Sequence, residues 1–294
     1  MVGTVEVPHG VLMRVLITGA AGQLGRDLAD HCEATGDEVT AFDRGALDVG
    51  DRDQVLAAVM AARPDVVVNA AAWTAVDACE SDPDRAYRVN ALAVRWLREA
   101  CERGGAHLVH VSTDYVFDGS LDRPYHEWDT PNPQSAYGAS KLAGEREVRP
   151  SDTVVRTSWM CGEHGNNVVK TVLRLLETHD SLSFVDDQVG CPTFCADLAV
   201  ALRQLAVGRR SGIHHVTNQG AVSWYEFVGD IVAASGRDRD IVKPIATADL
   251  HPPRPAPRPA NSVLDNAVLR LTDLPLLRHY SEPLSALVHR IQAS

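Results

Sequence analysis

A run of apolar and β-branched residues, Arg14-Val-Leu-Ile-Thr18, leads directly into Gly19-Ala-Ala-Gly22-Gln23-Leu24-Gly25. Few features limit a fold as severely. The run reads as a buried strand. The segment after it, Gln23 to Thr35, reads as a helix with Leu24, Leu28, Ala29 and Cys32 on its apolar stripe. Strand, glycine turn and helix in that order are the context of a dinucleotide fingerprint. Gly19 permits the tight turn, Gly22 lets backbone approach a pyrophosphate, and Gly25 lets the helix pack closely on the strand. The helix N-terminus, at Gln23 and Leu24, then faces the phosphates.

The next stretches continue the alternation of strand and helix. Glu38 to Phe42 is a second strand with Asp43 at its end, where a carboxylate can bind the adenosine ribose hydroxyls. Arg44 follows and can instead meet a 2′-phosphate or remain a solvated loop charge, so NADH and NADPH both stay open. Leu47-Asp48-Val49 leads into a helix from Arg52 to Ala62, and Asp48 either caps that helix or approaches the adenine. Pro64 to Val68 is a third strand ending in Asn69-Ala-Ala71-Ala72-Trp73. Small residues there let a cofactor lie against the backbone, although tight packing also selects them. A long helix is expected from Asp84 to Arg103; it carries Asn90, which is either a buried hydrogen-bonding residue or exposed.

His107 to Val111 is a fourth strand, tipped by Ser112-Thr113-Asp114-Tyr115. Hydroxyls at the end of a parallel strand point into the ligand crevice, and the alternative is a turn satisfied by local bonds. Tyr137-Gly-Ala-Ser-Lys141 then places a phenol and an ammonium four residues apart, on one helix face. An ammonium beside a phenol favours the phenolate, which lowers the tyrosine pKa and makes it a usable proton donor and acceptor. In isolation such a pair usually marks only an amphipathic surface helix; the order of the preceding elements argues otherwise.

At 294 residues the chain can bury a large core, and its net charge of −11 argues against general nucleic-acid binding. The six cysteines are scattered; the one close pair, Cys191 and Cys195, lacks partners for a zinc site, so buried reduced thiols and a cytoplasmic location are expected. No apolar run reaches the length of a membrane span. Residues 1–12 read as a disordered extension or an early start before Met13. Residues 13–155 read as a nucleotide-binding domain, to which parts of 185–235 return, and 156–294 mainly as a substrate domain. In that second half a helix is expected to open at Cys191-Pro-Thr193, and Ser223 with Glu226 forms a capping box. The proline-rich stretch from His251 to Ala260 is either a linker or a rigid loop whose Arg254 and Arg258 clamp a diphosphate.

Taken together, the glycine loop, acidic second strand, hydroxyl-tipped fourth strand and Tyr-x-x-x-Lys resemble the extended short-chain dehydrogenase/reductase superfamily. Asn69 to Asp77, Ser112 to Phe117, Pro124 to Pro133, Tyr137 to Glu145 and Arg156-Thr-Ser-Trp159 resemble, within it, the dTDP-4-dehydrorhamnose reductase family. The resemblance implies an α/β fold, a Rossmann-type doubly wound parallel sheet with a smaller C-terminal substrate-binding domain. It implies reduction of dTDP-4-dehydro-L-rhamnose with NADPH or NADH, the final step of dTDP-L-rhamnose formation. Tyr137 would be the proton donor, Lys141 its electrostatic partner and ribose ligand, and Thr113 the residue that orients the carbonyl. Thr113, Asp114, Trp159 and Arg258 would touch the substrate. No metal is expected in the chemistry, no nucleic-acid or membrane partner is expected, and the chain would act as a monomer or weak homodimer. Two rivals share the resemblance: a sugar-nucleotide epimerase or dehydratase, for which Asp114-Tyr115 keeps an acid/base option open, and a non-catalytic cofactor-binding regulatory subunit.

Overall fold

The computed structural model describes residues 12–293; residues 1–11, most of the expected extension, lie outside them. Five strands, β1 (Arg14–Thr18), β2 (Glu38–Phe42), β3 (Val66–Asn69), β4 (His107–Thr113) and β5 (Thr153–Thr157), join a sixth, Gly212–His215, in one sheet. Its order is β2, β1, β3, β4, β5 and the sixth strand, and every neighbouring pair is parallel. The order reverses between β1 and β3, the switch point where an open parallel sheet leaves a ligand crevice at its carboxyl edge.

Side chains alternate faces along a strand, and both faces are covered. Val15, Ile17, Val66 and Val68 meet α1 (Gln23–Ala34) together with Leu198, Leu202 and Leu205 of a later helix, Cys195–Val207. Leu16, Val67 and Leu108, one residue out of phase, meet Val55 and Val59 of α2 (Arg52–Ala62) and Val94 and Leu97 of a helix spanning Ala93–Gly104. That alternation of apolar residues on both faces makes the sheet doubly wound. The later helix and the sixth strand, drawn from residues beyond 190, pack on and extend this same sheet. A separate apolar core gathers Val169, Val172, Phe227, Ile231, Leu284 and Leu287.

The expected helix from Asp84 to Arg103 is interrupted. It begins earlier, as Val76–Ser81 (α3) and Pro83–Tyr87 (α4), widens into a π-turn at Arg88–Leu92, and resumes as Ala93–Gly104 (α5). Asn90 sits in the wide turn and is buried. Its amide accepts from Trp73 N at 2.8 Å and donates to Trp73 O at 3.1 Å and to Ser140 Oγ at 3.0 Å. The buried reading of this residue is correct, and its three partners account for the locally enlarged turn. The helix expected to open at Cys191 starts instead at Cys195. Thr193–Phe194 is a short strand paired with Met160–Cys161, and Phe194 N is taken by Asn218 Oδ1 at 2.8 Å. The Ser223–Glu226 capping box is present and opens Trp224–Ala234.

Candidate active site

A cleft of about 280 Å³ lies at the switch point, lined among others by Gly19, Gly22, Asp43, Arg44, Asp48, Val49, Ala71, Ala72 and Trp73. Its floor leaves no room for side chains. A Cβ on Gly19 would lie 2.7 Å from Ala71 N, and one on Gly25 would lie 2.3 Å from Gly19 O. Gly19 has φ +73, open to glycine at little cost. Backbone is therefore exposed along the cleft where a pyrophosphate fits, so the residues present suit a dinucleotide.

Five expected cofactor residues lie outside this lining: Tyr137 and Lys141, which are buried on a later helix, and three residues at the start of α1. Leu24 is buried in the core, and Gly25 packs helix on strand. Gln23 reaches across to the other half of the chain: its Nε2 donates to Asn166 O at 3.1 Å and its Oε1 accepts from Asn167 Nδ2 at 3.0 Å. Asp43 Oδ1 accepts from the Gly45 and Ala46 amides, both at 2.9 Å. Asp48 does not cap α2; Asp51 does, accepting from Asp53 N and Gln54 N. Arg85 and Arg88 also line the cleft, and Arg85 stacks 4.3 Å over Trp73. Sequence reasoning passed over both arginines because they sit on a helix that approaches the cleft only after folding.

Tyr137 and Lys141 lie on α6 (Ala136–Glu145), and both are buried. Ser135 caps the helix, its Oγ accepting from Gly138 N at 3.1 Å. A Cβ on Gly138 would sit 2.2 Å from Tyr115 O, so glycine there lets α6 press against the end of β4. Tyr137 packs with Trp73, which lines the cleft, and its ring meets Tyr115 edge-on at 5.4 Å between centroids. Thr113 donates to Asp114 Oδ1 at 2.9 Å.

The electrostatics depart from the expectation for the tyrosine–lysine pair. Burial pushes the Tyr137 phenol above its ordinary range, with Asp114 and Tyr115 adding to the effect and the Thr113 hydroxyl opposing it. Burial lowers the Lys141 pKa to about 8, against a smaller opposing effect of Glu145. Lys141 Nζ donates to Val111 O at 2.7 Å and lies 3.4 Å from His110 Nε2. Spacing on the helix put the two side chains on one face, but packing of α6 on β4 gives the ammonium these partners, so the phenol's ionisation is set mainly by burial.

A second cavity of about 290 Å³ is lined by Tyr115, Gln188, Trp224, Arg254 and Arg258, among others. Trp159 lies just behind it, stacked on Trp224 with ring centroids 3.6 Å apart. Trp159 has φ +45, a strained backbone state for a bulky residue, in which its indole lies over Gly190. Trp224 was not anticipated; it becomes visible only through this stack. The proline-rich loop is no free linker. Arg258 Nη2 donates to Asp77 Oδ2 at 2.8 Å, Arg258 Nη1 donates to Ala256 O at 2.7 Å, and Ala256 N donates to Asp77 Oδ1 at 3.1 Å.

Asp114, next to Thr113 at the tip of β4, is in neither lining; it is buried, with Oδ2 unpartnered. Burial raises its pKa to about 6, against hydrogen bonds from Ser262 and Thr113. The folded chain thus holds this proton more tightly than the unfolded one, so its contribution to stability falls as pH rises through the window between the ordinary value and about 6. Asp114→Asn is expected to stabilise the fold at neutral pH by on the order of 2–3 kcal/mol. That gain should vanish in denaturant titrations below about pH 4, where the aspartate is protonated in both states. A gain independent of pH would contradict the buried, unpaired carboxylate.

A family model described as the RmlD substrate binding domain matches residues 13–293. The dTDP-4-dehydrorhamnose reductase of Aggregatibacter actinomycetemcomitans is 44% identical over 269 residues, covering 86% of this chain and 91% of that protein. The solved dTDP-4-dehydrorhamnose reductase of Clostridium acetobutylicum superposes with TM-score 0.91 at 42% identity, covering 95% of this chain and 99% of that one. That of Bacillus anthracis, solved in complex with NADP, superposes with TM-score 0.91 at 37% identity, covering 95% and 100%. On the match across residues 13–293, and on these relatives aligned over most of their length, the chain belongs to the RmlD family.

Proposed function

We propose that this chain is an NAD(P)H-dependent reductase that converts the C4 ketone of dTDP-4-dehydro-β-L-rhamnose to the alcohol of dTDP-β-L-rhamnose. The observation that carries the reading is the position of Tyr137. It packs on Trp73 of the glycine-floored cleft and on Tyr115 of the second cavity, with Thr113 and Asp114 beside it. A ketone held between the cavities would therefore meet a phenol and a hydroxyl together.

The glycine turn, Asp43, Arg44, Ala71, Ala72 and Trp73 would hold the dinucleotide, and its nicotinamide supplies the hydride when bound. Tyr137, kept protonated by burial, donates to the oxygen as it gains negative charge. Thr113, once its hydroxyl turns from Asp114 Oδ1, donates to the same oxygen, and both donors act more strongly as charge grows, which favours the transition state over the ketone. Lys141 in its charged form offers a donor to a ribose hydroxyl. Arg254 and Arg258 suit the diphosphate, since a guanidinium matches phosphate geometry and Arg258 is already oriented by Asp77. Trp224, backed by the stacked Trp159, offers a flat surface for a sugar face.

The sheet with its returning helix and sixth strand supports assigning 13–155 and part of 185–235 to the cofactor, and the separate core supports assigning most of 156–294 to the substrate. Six buried free cysteines and the absence, among the described residues, of a helix long and apolar enough to cross a membrane accord with action in the cytoplasm. Purified chain mixed with dTDP-4-dehydro-L-rhamnose should consume NADPH or NADH in step with alcohol formed. Cofactor recycled without net loss would point to an epimerase or dehydratase, and no consumption of either would leave a regulatory cofactor-binding role.

A further inference from the structure

Three polar side chains lie side by side across the centre of the sheet. Thr18 of β1 is in register with Asn69 of β3, and Asn69 with His110 of β4. They stand two residues beyond the row Leu16, Val67 and Leu108, and so project from the same face. All three are buried, as is Lys141 of α6, which meets the end of the row. The Thr18 hydroxyl donates to Asn69 Oδ1 at 2.7 Å, and Asn69 Nδ2 lies 3.0 Å from His110 Nδ1. His110 Nε2 lies 3.4 Å from Lys141 Nζ, which donates to Val111 O at 2.7 Å.

Donor and acceptor accounting places the protons along this row. The Ala71 backbone N–H can only donate, and it meets Asn69 Oδ1 at 3.2 Å. That contact decides which end of the amide is oxygen, so the end facing His110 is the NH₂ group, which has no lone pair to offer. His110 Nδ1 must therefore accept. Burial and the neighbouring lysine together hold His110 well below its ordinary pKa, so the ring is neutral. A neutral imidazole has one proton, and with Nδ1 bare it lies on Nε2. The N–H then points at Lys141. An ammonium can offer that N–H only more hydrogens, whereas a neutral amine can accept from it.

We propose that His110, locked by Asn69 in its Nε2–H tautomer, is a positioning residue that disfavours the ammonium form of Lys141 and thereby sets the pH at which the site gains that charge. The proposal rests on the reading of Lys141 as part of a reductase site; the tautomer itself does not.

Few other charges face Lys141. Glu145, on the same helix, favours the ammonium. Its carboxylate is already shared by Arg156 of β5, with Nη2 at 2.7 Å, and by Ser112 of β4, with Oγ at 2.6 Å. Asp114 and Tyr115, at the turn after β4, and Cys79 of α3 act on Tyr137. Among the described residues no titratable side chain of α4, the π-turn or α5 acts on Lys141. With a pKa of about 8 the lysine titrates about one pH unit above neutrality, where the hydrogen-bonding sense of a neighbour can shift its protonation.

The test uses the full chain labelled with ¹⁵N-histidine. The signals absent from the His110→Gln spectrum are expected to show Nε2 protonated and Nδ1 bare across neutral pH. An Nδ1–H tautomer or an imidazolium would overturn the proposal. The second arm is the pH profile of turnover. In His110→Gln a neutral amide can turn its oxygen to the ammonium, and in Asn69→Asp a carboxylate oxygen accepts from Nδ1–H and so frees the Nε2 lone pair. In either folded variant the alkaline limb should move upward by about one pH unit, a tenfold gain in proton affinity. Turnover reduced equally at every pH, with the limb unmoved in both, would make His110 purely structural and defeat the proposal. If no sugar nucleotide is turned over by the unaltered chain, the reductase reading fails while the labelled spectrum still decides the tautomer.

Discussion

Tyr137→Phe should lose turnover by roughly 10²–10⁴-fold while binding the dinucleotide much as the unaltered chain does, because only the proton donor is removed. The ring remains, and with it the edge-on contact with Tyr115 and the packing against Trp73. The cleft that would hold the dinucleotide is built by glycine backbone and strand ends, none of which the phenol oxygen supports. Thr113 keeps one hydrogen bond to offer the developing alkoxide, which is why the loss is large but finite. Steady-state rates paired with a titration of the dinucleotide by tryptophan fluorescence separate the two quantities. Turnover close to that of the unaltered chain would remove Tyr137 from the chemistry; equal losses of turnover and cofactor binding would make it a structural residue.

The second large effect is on stability. Arg156 is 1% exposed, and its guanidinium forms a forked pair with Glu145, Nε at 2.9 Å and Nη2 at 2.7 Å. It also lies 5.1 Å over the Phe117 ring. Arg156→Leu strands the Glu145 carboxylate in the interior with Ser112 as its one remaining side-chain partner. Breaking a buried pair from one side costs about 3–5 kcal/mol, so the thermal midpoint should fall by roughly 10 °C. Equal melting of variant and parent near neutrality would show that the pair contributes nothing net.

The parts of the molecule legible in the sequence are those whose cause is local. β1, β2 and α2 occupy the expected residues because each is an apolar or amphipathic run closed by an evident turn or cap. The glycine spacing locates the cleft because only glycine tolerates the backbone approaches at Gly19 and Gly25. What escaped were features created by packing. The partners of Lys141 Nζ exist only once α6 lies on β4. His110 reads as one more strand residue until the register sets it beside Asn69. Arg85, Arg88 and Trp224 reach their cavities from elements distant in the chain. The helix over 84–103 failed as a single unit because periodicity records apolar spacing and is blind to one buried asparagine with three hydrogen bonds to Trp73 and Ser140.

That asparagine has a consequence for how tolerant the chain is to changes in length. A π-turn accommodates one residue more than the α-helical path it replaces, and each residue of an α-helix advances the rotation by about 100°. Deleting a single residue between Arg88 and Leu92 would let the segment relax into regular helix, ordinarily an improvement for an isolated helix. Because only the extra residue is removed, Val94, Leu97 and Cys101 beyond it would keep their faces toward the sheet. The damage would fall on the tether from Asn90 to Trp73 and Ser140, which spaces the cleft wall from α6 and needs the wide turn to hold that side chain. The chain thus keeps a locally poorer helix for the sake of one side chain, and a length change at this turn would be felt at the cleft wall before it was felt in the core.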